Sequence, residues 1–420
     1  MRVPWKVIKA NKIWVLLTGI GTLIFCLSFI EVTYSDKSKL IQTKIQILRQ
    51  LQPDIVLSRE IYDNLKDEAY DLDPTNDSDY NLGGPVVPQK EIQHIAFLKV
   101  HKAASSTAQN IFLRYGWNKN LTFVLSPAKN QFGYPNIISL RESLTNSNIL
   151  PPPPNRHYDI LCNHVFYSKE AFSKFMPSDT AYIGIIREPF ELYKSILNYF
   201  RPRYIFKKIE GPSPASEFLR NPKKFEPKGR ISNSWTNSRM AVEFGFPDSV
   251  FSVYNQTKVD TYLAKLDKEF KLVLIAEYME DSVVLMRRLL KWQTKDILFL
   301  NLNVAHKKNE SMLSKAFDRD FYRRYAKVDY ALYNFFYIRL RKQIREQGVD
   351  FDEELLAFKE LRKRTQEYCT QTKMTRPMEV PANSWGESFT VGRSDCNDMK
   401  RGEINFVTMI RIRQYGSKTI

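Results

Sequence analysis

The chain has 420 residues with 43% hydrophobic content, enough for one large packed domain plus appendages, which places it among globular proteins. Its formal charge of +17, from 63 Lys and Arg against 46 Asp and Glu, calls for anionic partners without saying which. Four cysteines are too few for a disulfide scaffold, and the absence of CxxC or Cys/His spacings predicts no structural metal.

Residues 13–30 form an uncharged apolar run of the length that crosses a bilayer. Arg2, Lys6, Lys9 and Lys12 precede it and Glu31 follows, so the positive-inside rule leaves residues 1–12 cytoplasmic and the body across the membrane. A cleaved signal peptide would have a shorter core and a small-residue cleavage site, and "CLSFIEVTYS" offers only a weak one. The reading is an uncleaved transmembrane signal anchor of type II. Sequons at Asn76, Asn120, Asn255 and Asn309 agree with a lumenal body. Of the cysteines beyond the anchor, Cys369 and Cys396 are expected to pair, with Cys162 buried and reduced.

Residues 31–90 read as a stem that ends in "DLDPTNDSDYNLGGPVVPQK". Leu40, Ile41, Ile45, Leu48 and Leu51 recur there at helical spacing, over too few turns for a coiled coil. From His94 onward, short β-type runs at 95–100, 121–125, 158–162, 181–186 and 272–276 alternate with helical patterns. That alternation predicts an α/β domain with a mostly parallel sheet flanked by helices, and ligands at the carboxyl ends of its strands. Residues 201–234, rich in Pro and Lys, read as an irregular flap over the substrate region. The aromatic helical pattern beyond Ser311 is expected to form core.

Two stretches carry chemistry. In "FLKVHKAASST" a strand, a tight loop and a helix start converge on Lys102, Ser105, Ser106 and Thr107, which makes an anion cradle of free N–H groups, hydroxyls and an ammonium. A helix N-cap alone would explain Ser105 but not the whole set. Both glycines of a Walker A motif are missing, which argues against an ordinary NTPase. In "YIGIIREPFELYKSILNYF" a strand ends in Arg187, Pro189 opens a helix, and Ser195 follows about two turns in, a pattern able to hold a second phosphate.

Together with "DILCNHVFY" and "LVLIAEYMEDSVVLMRRLLKW", these stretches resemble the galactose-3-O-sulfotransferases, Golgi enzymes that include galactosylceramide sulfotransferase and use 3′-phosphoadenosine 5′-phosphosulfate (PAPS). The resemblance covers residues 94–302, more loosely to about Cys369. It implies the P-loop-like sulfotransferase fold for a lumenal domain at 91–370, followed by a C-terminal extension at 371–420. By position it implies that Lys102, Ala103, Ala104, Ser105, Ser106 and Thr107 hold the 5′-phosphosulfate and that Arg187 and Ser195 hold the 3′-phosphate. Val100 and Ala103 depart from the threonines expected in that loop, which bears on donor affinity, and Glu188 stands where some relatives carry Asp.

Sulfuryl transfer needs a cation at the bridging oxygen, for which Lys102 is the candidate, and a base for the acceptor hydroxyl. His101 is the first choice of base, and His164 the second, as base or as a group orienting the acceptor. His94, His157 and His306 are read as surface or loop histidines, and Trp235, Asn237 and Arg239 as sugar contacts. The expected acceptor is the 3-hydroxyl of galactose on a glycolipid or glycoprotein, at the Golgi membrane, without a metal; a homodimer is left open. Two other readings stay open: a glycosaminoglycan uronosyl 2-O-sulfotransferase, and a non-catalytic glycan- or nucleotide-binding membrane protein. Nucleic acid would explain the charge but neither the anchor nor the sequons.

Overall fold

A computed structural model describes residues 90–127, 133–302, 316–371 and 375–417, all within one compact unit, Pro88–Ile420. The expected anchor, the stem and its short helix, Asn76, Asn309 and His306 lie outside the described residues. Among the described residues no helix is long and apolar enough to cross a membrane. Asn120 and Asn255 are both exposed.

At the centre stands a parallel sheet of β1 (Ile95–Phe97), β2 (Ile160–Leu161), β3 (Ala181–Ile186) and β4 (Leu272–Ile275), in the order β2-β1-β3-β4. Every residue of these strands is buried, as apolar runs without alternation require when helices cover both faces. Ile95 pairs with Ile160 on one side and Ala181 on the other, so the loops leaving β1, β2 and β3 emerge along one edge. The strand expected at 121–125 is reduced to one parallel bridge between Phe123 and Ile160. The Val124 N–H still donates to the Ile160 carbonyl at 2.8 Å, while the Gln414 side chain accepts from the Phe123 N–H at 2.9 Å and donates to the Phe123 carbonyl at 3.2 Å, in place of a further strand.

Three crossover helices follow the pattern read from the sequence: α1 (Ser105–Asn118) after β1, α2 (Pro189–Phe200) after β3, and, past the short helix α3 (Arg239–Glu243), the longer α4 (Gln256–Glu269) and strand β4, α5 (Met279–Leu290). Helix α2 begins with Pro189 in its first turn, and the Glu188 carboxylate accepts from the Glu191 N–H at 2.8 Å. Glutamate at 188 therefore caps the helix that an aspartate would cap. Helices α6 (Ala316–Tyr325), α7 (Lys327–Arg345) and α8 (Asp350–Thr370) follow, and Tyr322 and Phe336 are buried as expected of core.

Residues 201–234 correct the expectation of an irregular flap. Short helices at Arg203–Phe206, Pro214–Arg220 and Pro222–Phe225 pack Tyr204, Ile205, Phe218 and Leu219 against Tyr193, Leu197 and Tyr322 in a second apolar cluster. Pro214 and Pro222 sit in first turns, where proline starts a helix instead of breaking it.

The C-terminal residues form a hairpin, β5 (Met378–Val380) with β6 (Phe389–Val391), then α9 (Arg393–Lys400) and α10 (Glu403–Tyr415). Cys369 and Cys396 form a disulfide between the end of α8 and α9, while Cys162 is buried and free. Both terminal helices lie along α1: Asn110 donates to the Asp398 carbonyl at 2.9 Å and Arg413 to the Trp117 carbonyl at 2.8 Å.

Candidate active site

The loop between β1 and α1 has the backbone of an anion cradle without its glycines. Lys102 and Ala104 both adopt left-handed conformations, φ 61° and 58°, where glycine is usual. Ala104 occupies the N-cap position and offers no side-chain cap. The Thr107 N–H turns back to the Ala104 carbonyl, so the N–H groups of Ser105 and Ser106 head the helix with its dipole behind them. Val100 and Ala103, which replace the expected threonines, are fully buried and belong to the core.

The charged groups around this loop are ordered by four segments. His101 is buried, with its ring Nδ1 2.7 Å from Glu243 Oε1, and its backbone N–H donates to Glu243 Oε2 at 2.9 Å. Arg239 donates from Nε to the same Glu243 Oε1 at 2.6 Å. Nδ1 faces a carboxylate, so it carries the hydrogen and the lone pair lies on Nε2. Burial lowers the His101 pKa, against the raising effect of Glu243, which favours the neutral ring. Burial would raise the Glu243 carboxyl, but the attraction of the His101 ring when protonated, the charge of Arg239 and the hydrogen bonds from His101 outweigh it and hold it down at about 2. Gly184 in β3 makes room for this arrangement, since a Cβ there would lie 2.8 Å from the ring of Phe244, the residue after Glu243.

His164, from the loop after β2, is set differently. Its Nδ1 lies 2.8 Å from the Lys99 carbonyl and its Nε2 2.8 Å from Lys99 Nζ, so one nitrogen donates and the other accepts. Both lone-pair and proton are engaged, and the ring stacks on His101 with centroids 3.6 Å apart. Burial, then the neighbouring His101 and Lys99, push its pKa well below the ordinary value. Gln109 of α1 fixes that loop by donating to the Cys162 carbonyl at 2.8 Å and to Asn163 at 3.0 Å. Although His101, His164 and Glu243 lie close enough to hold a metal ion, Lys99 and Arg239 already supply positive charge to the trio.

Lys102 projects its ammonium over the Tyr199 ring at 3.7 Å, and burial, then Arg187 and Lys99, lower its pKa. Arg187 donates to the Lys102 carbonyl at 3.1 Å and lies 3.9 Å from Glu277, so it joins the two strand-end loops. Ser195 is half-buried on α2. Trp235 stands edge-on to His101 at 5.3 Å and stacks on Phe200 at 4.0 Å. Asn237 is half-buried. Arg239, expected as a sugar contact, is fully buried; it serves Glu243 and the carbonyl of Ser232, so it orients the site from behind.

Sequence reasoning missed Glu243, Lys99 and Glu403, and it gave Arg239 a role facing the sugar instead of Glu243. Glu243 and Arg239 stand i, i+4 on a helix of five residues, too short for a periodic signal, and Lys99 reads as part of a strand. Glu403, at the start of α10, forms an ion pair with Lys99 at 2.9 Å and accepts from Ser106 Oγ at 3.1 Å. A carboxylate from the C-terminal extension thus meets the Ser106 hydroxyl at the start of α1.

Comparison with known proteins fits this geometry. Residues 36–379 match the family description "Galactose-3-O-sulfotransferase". The chain is 32% identical over 255 residues to galactose-3-O-sulfotransferase 2 of Mus musculus, covering 60% of this chain and 62% of the relative. It is 30% identical over 261 residues to galactose-3-O-sulfotransferase 2 of Homo sapiens, covering 61% and 62%. With galactosylceramide sulfotransferase of Homo sapiens it shares 28% over 212 residues, 50% of this chain and 48% of the relative. The matches therefore span about half to six-tenths of these relatives' length. The chain belongs to the galactose-3-O-sulfotransferase family.

Proposed function

We propose that this family member transfers a sulfuryl group from PAPS to the 3-hydroxyl of a terminal galactose on a glycolipid or glycoprotein. The observation that carries the reading is a buried, carboxylate-backed His101 beside an ammonium, Lys102, at the uncapped start of α1. The Glu403 carboxylate on Ser106 supports an anionic donor at that place.

In this reading the 5′-phosphosulfate lies against the N–H groups of Ser105 and Ser106, and the hydroxyls of Ser106 and Thr107, with Ala103 and Ala104 shaping the turn. Arg187 and Ser195 take the 3′-phosphate. The galactose oxygen attacks sulfur while the bond from sulfur to the bridging oxygen breaks; the hydroxyl proton passes to His101 Nε2, and Lys102 neutralises the charge growing on the departing adenosine 3′,5′-bisphosphate. Attack is direct, with no covalent enzyme intermediate and no metal. Glu243 keeps the His101 tautomer and stabilises the imidazolium that forms, and Arg239 holds Glu243. His164, with both nitrogens engaged, positions His101 and Lys99. Trp235 offers the sugar an aromatic face next to the base.

In this reading the chain is a type II protein of the Golgi membrane with this domain in the lumen, which the apolar run at 13–30 behind a basic N-terminus supports. The test uses the full chain with sulfur-labelled PAPS and a panel of galactosylceramide, lactosylceramide, N-acetyllactosamine and desulfated heparin. Label on the 3-hydroxyl of a galactoside establishes the reaction and the acceptor class. Label on heparin alone would give the uronosyl reading, and donor binding without transfer would give the binding-protein reading.

A further inference from the structure

At the opposite edge of the sheet, where the strands begin, three side chains converge that the proposed chemistry does not use. His94 immediately precedes β1 and Asp159 immediately precedes β2, with His157 two residues before Asp159. The Nε2 atoms of His94 and His157 are 3.2 Å apart. Asp159 Oδ1 lies 3.4 Å from the first and 3.0 Å from the second. The sequence reading left both histidines as separate surface or loop residues, because 63 positions divide them and no spacing motif joins them.

We propose that His94, His157 and Asp159 bind a divalent transition metal, with zinc the best fit, as a staple across the leading ends of β1 and β2. Three separations of 3.0, 3.2 and 3.4 Å form one triangle, and ligands at zinc bond lengths of about 2.0–2.1 Å in a tetrahedron stand about 3.3 Å apart. Two imidazoles and a carboxylate are zinc's ordinary ligands.

The surroundings point the same way. Asp179, just before β3, accepts from His94 Nδ1 at 2.6 Å, which fixes the hydrogen on Nδ1 and leaves the Nε2 lone pair facing the cluster. Asp159 is fixed too: the Thr122 N–H donates to Oδ2 at 2.6 Å, so Oδ1 is the atom left for a ligand. Backbone bonds hold the geometry, from the Ile95 N–H to the Asp159 carbonyl at 2.8 Å and from the Ala181 N–H to the His94 carbonyl at 2.9 Å. Without a metal, His157 Nε2–H faces two acceptors, His94 Nε2 and Asp159 Oδ1, and can satisfy one at a time. A cation answers all three lone pairs together, and a fourth position, open to solvent beside the exposed His157 ring, is left for water.

The experiment takes the full chain, purified without a histidine tag and stripped with a chelator, and titrates Zn²⁺ against a chromogenic chelator. One equivalent of zinc is expected to bind and to raise the melting midpoint. Co²⁺ in its place is expected to give the visible absorption of a tetrahedral site. His157→Ala, at a largely exposed side chain, should abolish both effects, and Asp179→Asn should weaken zinc binding about 10–100-fold. No zinc uptake by the wild-type chain would overturn the proposal. Undiminished uptake by His157→Ala would overturn it equally, since the metal would then lie elsewhere, as at His101, His164 and Glu243.

Discussion

Replacing Glu243 by Gln tests whether the buried carboxylate tunes the base or only fills space. Glu243 accepts from both the ring and the backbone of His101 and from Arg239, so Gln keeps the shape and loses the charge. A carboxylate and an imidazolium about 4 Å apart at an effective dielectric of about 20 attract by about 4 kcal/mol, or about three pK units. Without that attraction the imidazole is harder to protonate, so the acid limb of the rate profile moves to lower pH by about one to three units. The weaker base also slows transfer; if about half of the lost basicity appears in the barrier, the maximal rate falls by about 3–30-fold. The assay is the pH dependence of kcat/KM for labelled sulfate transfer, with the melting midpoint as a check, because Arg239 loses part of its partner. Glu243→Asp, which keeps the charge, should return the limb toward its wild-type position. An acid limb that stays in place in Glu243→Gln, or moves to higher pH, would refute the reasoning.

Three other outcomes follow from contacts away from the base. Glu403→Gln should tighten PAPS binding several-fold by isothermal titration, since the carboxylate on Lys99 and Ser106 repels an anionic donor; unchanged or weaker binding would show that Glu403 assists the cradle. Cys369→Ser opens a bridge between residues 27 apart, and the chain-entropy estimate for such a loop is about 3.5 kcal/mol, read from denaturant midpoints. Asp329, whose carboxylate accepts from the Ala241 N–H at 2.8 Å at the start of the helix bearing Glu243, is pushed up to about 7 by burial. Between about pH 4 and 7 the folded chain keeps a proton that the unfolded chain has released, so this group's contribution to stability declines as pH rises through that window. Asp329→Asn should flatten the fall in melting midpoint there, and equal slopes for the two proteins would remove the assignment.

What was legible in the sequence follows from the range of each signal. Apolar runs ending in Lys102 or Arg187 and the helical stretches behind them are local patterns, and the sheet, α1, α2, α5 and the edge where the site lies were readable from them. The Cys369–Cys396 pair was readable because few thiols left few choices. Contacts between distant segments were not. Gln414 takes the place of a strand beside Phe123 from 291 positions away, and Glu403 reaches Ser106 across 297. Prolines in residues 201–234 read as loop because the apolar partners that make their short helices stable come from α2 and α6. His101 was found as a neighbour of Lys102, yet what makes it a base, Glu243, lies 142 residues on.

The account rests most directly on His101, and the deciding measurement compares wild-type and His101→Ala chains for labelled transfer from PAPS to a galactoside beside equilibrium binding of PAPS. General-base loss predicts a fall in kcat of about 10²–10⁴-fold, with PAPS affinity within a few-fold of wild type because Lys102 and the start of α1 are untouched. Transfer by His101→Ala at the wild-type rate would contradict the account and send the search for the base elsewhere.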